Sequence, residues 1–204
     1  MIKKGCPHCD VDSFALKYPL SETDNFRIVC DVHPLIEGHI LIIPKNHLSC
    51  VGEFSLESFE EFARLYEDFK SFLRQTYGKF SAFEHGRTGQ TVFHSHIHLL
   101  PAELSAKDIV PEKGMLKNLS SLESLREMFA TEGNYLFFET KNNLWLADTK
   151  ISTPGFFRIR FADAVGKPDR GDWKKARVNT KIMKAFEVDI KNLQGKWRSY
   201  KSNR

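Results

Sequence analysis

Three histidines stand at alternate positions, His94, His96 and His98, and two leucines follow them. In a β-strand, every second side chain points to the same face of the sheet. The spacing therefore predicts a strand over residues 91–100 with three imidazole rings on one face. Neutral imidazole can act as a nucleophile, pass a proton near pH 7 or bind zinc, so adjacent rings can divide these roles. A lone histidine is more often structural, but strict alternation of three indicates reactive chemistry.

Cys6 and Cys9 form a Cys-x-x-Cys motif, which is the second pattern in this sequence that can carry chemistry. Cys30 and Cys50 belong to no motif. In a chain from a reducing compartment, a Cys-x-x-Cys pair indicates a zinc site or a redox pair before a structural disulfide. The redox alternative is a thioredoxin-like oxidoreductase, whose pair follows a strand and opens a helix. The residues before Cys6 do not predict that context, and the spacing alone leaves a zinc site and a redox pair open.

Periodicity predicts the elements that hold these residues in place. Alternating and β-branched residues predict strands over 25–30, 39–43 and 81–84. Apolar residues at every third or fourth position predict an amphipathic helix over 55–77 that ends at Gly78. An antiparallel sheet that carries one long helix belongs to the α+β class.

Residues 105–204 show a different pattern of predicted helices and strands, and we predict that they form a smaller mixed α/β extension. This extension is expected to pack on or beside a domain of residues 1–104. The patterns predict a helix over 119–129, a hairpin of strands 134–140 and 143–147, a strand or helix start over 156–161, and a basic amphipathic helix over 173–197 that Gly195 can interrupt. Cations outnumber acids over 172–204, so this segment can contact nucleic acid, although a solvated helix face is the simpler explanation.

Composition limits the class of protein. A hydrophobic fraction of 41% and a charged fraction of 27% are ordinary for a soluble globular chain. There is no apolar run of about 18 residues, and the first residues lack the apolar core of a secretory signal. We therefore expect a cytoplasmic protein without a membrane partner. The net charge of +4 suits an anionic substrate without requiring one.

Residues 94–100 resemble the signature of the histidine triad (HIT) family, in which three alternating histidines precede two apolar residues. Residues 31–47 resemble the family's other diagnostic segment: an Asp, then Gly-His, an apolar strand and Pro-Lys-x-His. The likeness covers about residues 1–104, and the extension is only weakly similar to that of some longer bacterial members. The resemblance implies an antiparallel HIT-like sheet packed with one long helix.

The resemblance also implies a reaction. His96 would attack the α-phosphorus of a nucleotide, and water would then cleave the nucleotidyl-histidine. His98 would orient the ring of His96, with His94 as the remaining triad member. Members that transfer to phosphate acceptors often carry Gln at the third histidine, so His98 favours hydrolysis. The expected substrate is a purine nucleoside phosphoramidate, a diadenosine polyphosphate or a related conjugate.

Other positions match residues that bind substrate in the family. Asp31 matches the acceptor for the ribose hydroxyls, and Val32 would wall the base. Gln90 and Thr91 match positions that touch the phosphate and leaving group, although both could simply cap the loop before the triad. Glu84 stands where many members have an Asn that reaches the phosphate, and an ionised carboxylate there would repel it.

Family members with an amino-terminal cysteine pair bind structural Zn²⁺ with that pair, the His of Pro-Lys-x-His and the first triad histidine. The matching residues are Cys6, Cys9, His47 and His94. Members are usually homodimers through the helix and an edge strand, so we expect a homodimer unless the extension covers that surface. Three alternative functions remain: a non-catalytic nucleotide-binding sensor, a nucleic-acid end-processing deadenylase, and a thiol-disulfide oxidoreductase.

Overall fold

Eight strands form one antiparallel sheet in the computed structural model of this chain, which describes residues 2–203. The strands are β1 Pro19–Glu22, β2 Phe26–Cys30, β3 Ile40–Pro44, β4 Ser81–Glu84, β5 Ile97–Leu100, β6 Leu116–Leu119, β7 Leu136–Thr140 and β8 Asn143–Ala147. Their spatial order is β1-β2-β3-β5-β4-β7-β8-β6. The α+β class predicted from the sequence is confirmed.

Six α-helices accompany the sheet within residues 2–203. They are α1 Leu56–Tyr77, α2 Ala106–Ile109, α3 Ser124–Glu132, α4 Phe156–Ala164, α5 Trp173–Ala176 and α6 Thr180–Ser202. The long helix α1 begins where the Ser55 hydroxyl accepts from the Ser58 amide, and it ends at Gly78, whose φ of 75° suits a residue without a Cβ. Its apolar stripe is buried in the main core, so the predicted amphipathic helix is confirmed. None of the helices described here is both long and apolar enough to cross a membrane.

The predicted histidine-bearing strand is much shorter than its pattern indicates. β5 begins only at Ile97, so His98 lies on a strand but His94 and His96 do not. The prediction that all three rings share one strand face is therefore wrong. The His94 amide donates to the Val92 carbonyl, and the Ser95 amide donates to Leu48 outside the sheet ladder. These local bonds bend the chain away from extended geometry just before the strand starts.

The extension continues the same sheet. β7 pairs with β4, with Phe138 opposite Phe83, and β8 returns antiparallel to β7. The predicted hairpin is confirmed, and its turn places Lys141 and Asn142 at positive φ. The division into a domain of 1–104 and an extension of 105–204 stays a prediction, because one sheet spans both.

Several predicted elements of the extension have different bounds. Strand β6 was not predicted from the sequence. The helix predicted over 119–129 begins instead at Ser124. Residues 156–161 are helical, as the first part of α4. The basic helix predicted over 173–197 is two helices, because Asn179 caps the start of α6 with its side chain, whereas Gly195 does not interrupt it.

Candidate active site and metal centre

Two cysteines and two histidines converge between the amino-terminal turn and the triad segment. Cys6 Sγ and Cys9 Sγ lie 3.4 and 3.5 Å from Nδ1 of His94. Nδ1 of His47 lies 3.4 Å from Cys9 Sγ and 3.2 Å from Nδ1 of His94. A tetrahedral zinc ion with its usual bond lengths separates such donors by about 3.3–3.6 Å. The four residues predicted from the sequence therefore have the spacing of a zinc site.

The orientation of His94 also suits a metal ligand. Its Nε2 lies 2.8 Å from the carbonyl of Pro44, which can only accept, so the ring proton is on Nε2. The lone pair of Nδ1 then faces the two sulfurs. A backbone carbonyl that fixes the tautomer of a ligating histidine is a common support of zinc sites. The donor set consequently fits a structural zinc ion.

His96 presents one unprotonated nitrogen. Its Nδ1 lies 2.6 Å from the carbonyl of His94, so Nδ1 must carry the proton. Partial burial lowers the pKa of His96 below that of a free imidazole, which favours the neutral ring. Its Nε2 therefore keeps a lone pair, as a nucleophile requires.

His98 has the opposite tautomer because a chain of hydrogen bonds fixes it. The Leu35 amide donates to Nδ1 of His39, so the proton of His39 is on Nε2. That Nε2 lies 2.9 Å from Nδ1 of His98, which must accept, and the proton of His98 is then on its own Nε2. Burial lowers the pKa of His39 to about 3, consistent with neutral rings. Nε2 of His98 is buried without a hydrogen-bond partner among residues 2–203.

The same hydrogen bonds argue against a second metal site. Asp31, His39 and His98 bring one carboxylate and two imidazoles close enough to ligate an ion. However, the Nε2 of His39 that faces this cluster carries a proton, and a protonated nitrogen cannot coordinate. Arg158 also donates to Asp31 at 2.7 Å, which places a positive charge where a cation would sit. We assign this cluster to hydrogen bonding.

A cavity of about 540 Å³ opens beside His96 and His98, within the size range of small-molecule sites. Both parts of the chain build its walls. The residues before 104 that line it include His8, Phe14, Asp31, Val32, His33, Thr91, His96 and His98, and the extension contributes Arg158, Trp173, Arg177, Val178 and Met183.

Asp31 and Arg158 form a buried ion pair at this cavity. Asp31 Oδ2 accepts from Arg158 Nη1 at 2.7 Å, and Oδ1 accepts from the His33 amide at 2.8 Å. Burial opposes ionisation of Asp31, but the guanidinium holds the pKa of the carboxyl below its ordinary value. Asp31 therefore faces the cavity as an ionised group that is already paired.

The other predicted substrate contacts are divided between two locations. Val32 and Thr91 line the cavity, and the Thr91 hydroxyl accepts from Trp173 Nε1 at 3.3 Å. Gln90 is not among the lining residues, and its side-chain amide donates to the Ser49 carbonyl at 2.6 Å. The structure thus groups Asp31, Val32 and Thr91 with His96 and His98, and it places Gln90 elsewhere.

Glu84 also lies away from the cavity, in a fully buried network. Its carboxylate accepts from the hydroxyl of Ser95 at 2.8 Å, from the amide of Val51 at 3.1 Å and from the hydroxyl of Tyr135. Burial raises the pKa of Glu84 to about 7 despite these donors. Glu84 joins β4 to the extension through Tyr135.

Sequence reasoning missed two residues of the site. Arg158 is buried among phenylalanines on α4, and an arginine within such an apolar run signals a partner of opposite charge. His8 lies between the two cysteines, and its ring centroid is 4.9 Å from that of His96. No sequence spacing connects Arg158 to Asp31, because they are far apart in the chain.

A model of the HIT domain family matches residues 18–104. A HIT-like protein of Mycoplasma genitalium is 27% identical over 143 residues, which cover 68% of this chain and 95% of the relative. A HIT-like protein of Borreliella burgdorferi is 31% identical over 104 residues, which cover 47% of this chain and 74% of the relative. A solved structure of a hypothetical histidine triad nucleotide-binding protein from Sulfolobus tokodaii is 26% identical with a TM-score of 0.42, over 48% of this chain and 68% of that one.

The matched region contains β1 to β5, α1 and all three triad histidines. The antiparallel fold, the two motifs and the match to the Borreliella burgdorferi relative, which is 31% identical and covered over 74% of its length, together define the family. The chain belongs to the HIT family, as the resemblance of its two motifs predicts. The cysteine pair and the whole extension lie outside the matched residues.

Proposed function

We propose that this protein is a nucleotide hydrolase that cleaves a bond to an α-phosphorus through a nucleotidyl-His96 intermediate. The observation that supports it most directly is the pair of opposite tautomers beside one cavity. Nε2 of His96 carries a lone pair, and Nε2 of His98 carries a proton. A nucleophile and a donor for phosphate oxygens are the two groups that such a displacement needs.

The reaction proceeds in two displacements. Nε2 of His96 forms a bond to the α-phosphorus, and the bond to the leaving group breaks. Its electron pair departs with that group, which takes up a proton from solvent. Water then attacks the same phosphorus and releases a proton to solvent, the bond between the phosphorus and His96 Nε2 breaks, and its electron pair returns to Nε2. The products are the nucleoside 5′-monophosphate and the freed leaving group. His98 Nε2–H stabilises the charge on the phosphate oxygens in both steps.

Zinc in this proposal is structural. Cys6, Cys9, His47 and His94 would hold it, and the bound ion would supply a cross-link between the amino-terminal turn and the triad segment. His94 then takes part in the reaction only through its backbone carbonyl, which orients His96. The cysteines would serve as metal ligands, which leaves no free dithiol for the oxidoreductase alternative.

The ligand contacts follow from the cavity lining. Val32 walls the base, and Thr91 faces the phosphate or the leaving group. Glu84 and Gln90 support the loops around the site by their bonds to Ser95 and Ser49.

The homodimer stays a prediction. In this chain β7 occupies the outer edge of β4, and Trp197 of α6 stacks on Phe69 of α1, so sedimentation analysis should find a dimer only if other surfaces join the copies.

The test is AMP release from adenosine 5′-phosphoramidate and from diadenosine tetraphosphate. Wild type should release AMP, and His96→Ala should lose at least about 10³-fold of kcat/KM at equal zinc content. Lys107→Ala, an exposed change on α2 outside the cavity lining, serves as the matched control and should keep wild-type activity. Undiminished release by His96→Ala would contradict the intermediate. AMP binding without any release would instead support the nucleotide sensor.

A nucleic-acid end-processing activity is the second candidate. The observation in its favour is that exposed Lys174, Lys175 and Arg177 lie at or next to the cavity rim. If the substrate is an adenylated nucleic-acid end, affinity should fall steeply with salt because phosphate contacts release counterions. A mononucleotide conjugate should show a much shallower salt dependence.

A further inference from the structure

Asp31, the carboxylate that the family resemblance assigns to ribose, is engaged by this chain's own atoms. Oδ2 accepts from Arg158 Nη1 at 2.7 Å, and Oδ1 accepts from the His33 amide at 2.8 Å. Nitrogens of His39 and His98 lie 3.5 and 3.8 Å from Oδ2 and enclose it further. Each oxygen of a carboxylate has two lone pairs, and both oxygens of Asp31 already have a donor from this chain before any ligand binds.

The guanidinium of Arg158 is fixed by a second hydrogen bond. Arg158 Nη2 donates to the His33 carbonyl at 2.7 Å, so the guanidinium forms two fixed bonds within one short segment. Only 6% of Arg158 and 4% of Asp31 are exposed. Releasing Asp31 to a diol would leave a buried guanidinium without its counter-charge. That loss exceeds the gain from two neutral hydroxyl hydrogen bonds.

Arg158 lines the cavity beside the carboxylate with which it pairs, and its Nε is buried without a hydrogen-bond partner within residues 2–203. A site that depends on a substrate hydroxyl discriminates by about 10⁴–10⁵ against an analogue that lacks it, because its own polar groups are left unpaired. Here Asp31 stays paired whether or not the sugar carries hydroxyls.

We propose that Arg158 determines sugar specificity in this protein: by holding Asp31 in an ion pair, it makes the cavity accept ribonucleotides and deoxyribonucleotides alike. The inference rests on the proposed function for the location of the nucleotide in this cavity. Arg158 acts on specificity through Asp31 and is in that sense a positioning residue.

The first test compares AMP, 2′-deoxy-AMP and 2′,3′-dideoxy-AMP by calorimetric titration of the full-length, zinc-loaded protein. The three dissociation constants should agree within about threefold, because no hydroxyl contact to Asp31 is lost. An AMP affinity ten or more times that of the dideoxy analogue would overturn the proposal. This comparison uses wild type alone and so does not depend on the folding of any variant.

Two variants at Arg158 test the cause. Arg158→Met removes the charge and frees Asp31, so the preference for AMP over the dideoxy analogue should rise at least tenfold. Arg158→Lys keeps a cation beside Asp31 and should leave the ratio near one. A merely structural role for Arg158 would weaken both ligands equally and leave the ratio unchanged in Arg158→Met, which would overturn the assignment.

The outcomes separate this inference from the hydrolase proposal. Equal binding of the three nucleotides without turnover of the phosphoramidate would remove the hydrolase and leave the sugar assignment standing. Turnover of the phosphoramidate together with strong discrimination against the deoxy sugars would support the hydrolase and overturn the sugar assignment. Binding of none of the three would overturn both.

Discussion

Nε2 of His39 lies 2.9 Å from Nδ1 of His98, and this contact determines which nitrogen of His98 carries a proton. The Leu35 amide forces the proton of His39 onto Nε2, and His39 passes the constraint to His98. Through two hydrogen bonds, a backbone amide therefore fixes the tautomer of a ring that lines the cavity.

Breaking this relay should slow catalysis. His39→Phe fills the buried space but cannot donate, so His98 is free to place its proton on Nδ1 and lose its donor toward phosphate. We expect kcat/KM for AMP release to fall by about 10²-fold, the scale on which orienting groups act. His39→Gln can accept from Leu35 and donate to His98, and it should recover most of the activity. Equal rates in both variants would contradict the relay.

Zinc removal should unfold the amino-terminal turn and disturb the triad segment. Wild type should contain one zinc per chain by elemental analysis, and Cys9→Ser should lose it. Because a structural zinc site contributes folding free energy, we expect Tm to fall by about 10 °C. Cys30→Ser changes a buried cysteine outside the Cys2His2 group and should keep its zinc. A full zinc content in Cys9→Ser would refute the assigned ligand set.

The sequence predicted the framework but not the bend before β5. Alternation at His94, His96 and His98 favours a strand, yet only His98 lies on one. Nδ1 of His94 points to Cys6 and Cys9, and that long-range requirement outweighs local strand propensity. The Cys2His2 group was nevertheless predictable, because the family resemblance implies its four residues without any knowledge of backbone shape.

The contribution of the extension was not predictable from spacing. Arg158 meets Asp31 only because β7 adds to β4 and carries α4 to the cavity. No local pattern in residues 105–204 specifies which sheet edge β7 will join. Trp173 reaches Thr91 for the same reason, by tertiary packing rather than by motif.

Trp173 on α5 should bind substrate without taking part in the reaction. Its ring centroid lies 5.6 Å from that of His33, and its Nε1 donates to Thr91. Loss of an aromatic platform of this kind costs about 1–3 kcal/mol of ligand binding. Trp173→Ala should therefore raise KM for AMP release by roughly tenfold with kcat nearly unchanged, the pattern of lost uniform binding. Lys107→Ala on α2 is the control, and a fall in kcat alone for Trp173→Ala would contradict a binding role.

Glu84 should make stability depend on pH in an unusual direction. Burial raises its folded pKa to about 7, above the ordinary value of 4.5, so the folded state prefers the protonated acid. Its contribution to stability is fully present below pH 4.5 and is lost as the pH rises through 7. The difference corresponds to about 3 kcal/mol in the free energy of unfolding.

Glu84→Gln removes this titration and isolates it from the buried histidines, whose side chains titrate in this range in the unfolded chain. Urea unfolding of wild type and variant at pH 5 and pH 8 should show the variant gaining about 3 kcal/mol relative to wild type at the higher pH. The same change at exposed Glu60 should leave its difference from wild type constant. A constant difference for Glu84→Gln would mean that the three donors around the carboxylate keep it ionised in the folded state at both pH values, and that the raised pKa is wrong.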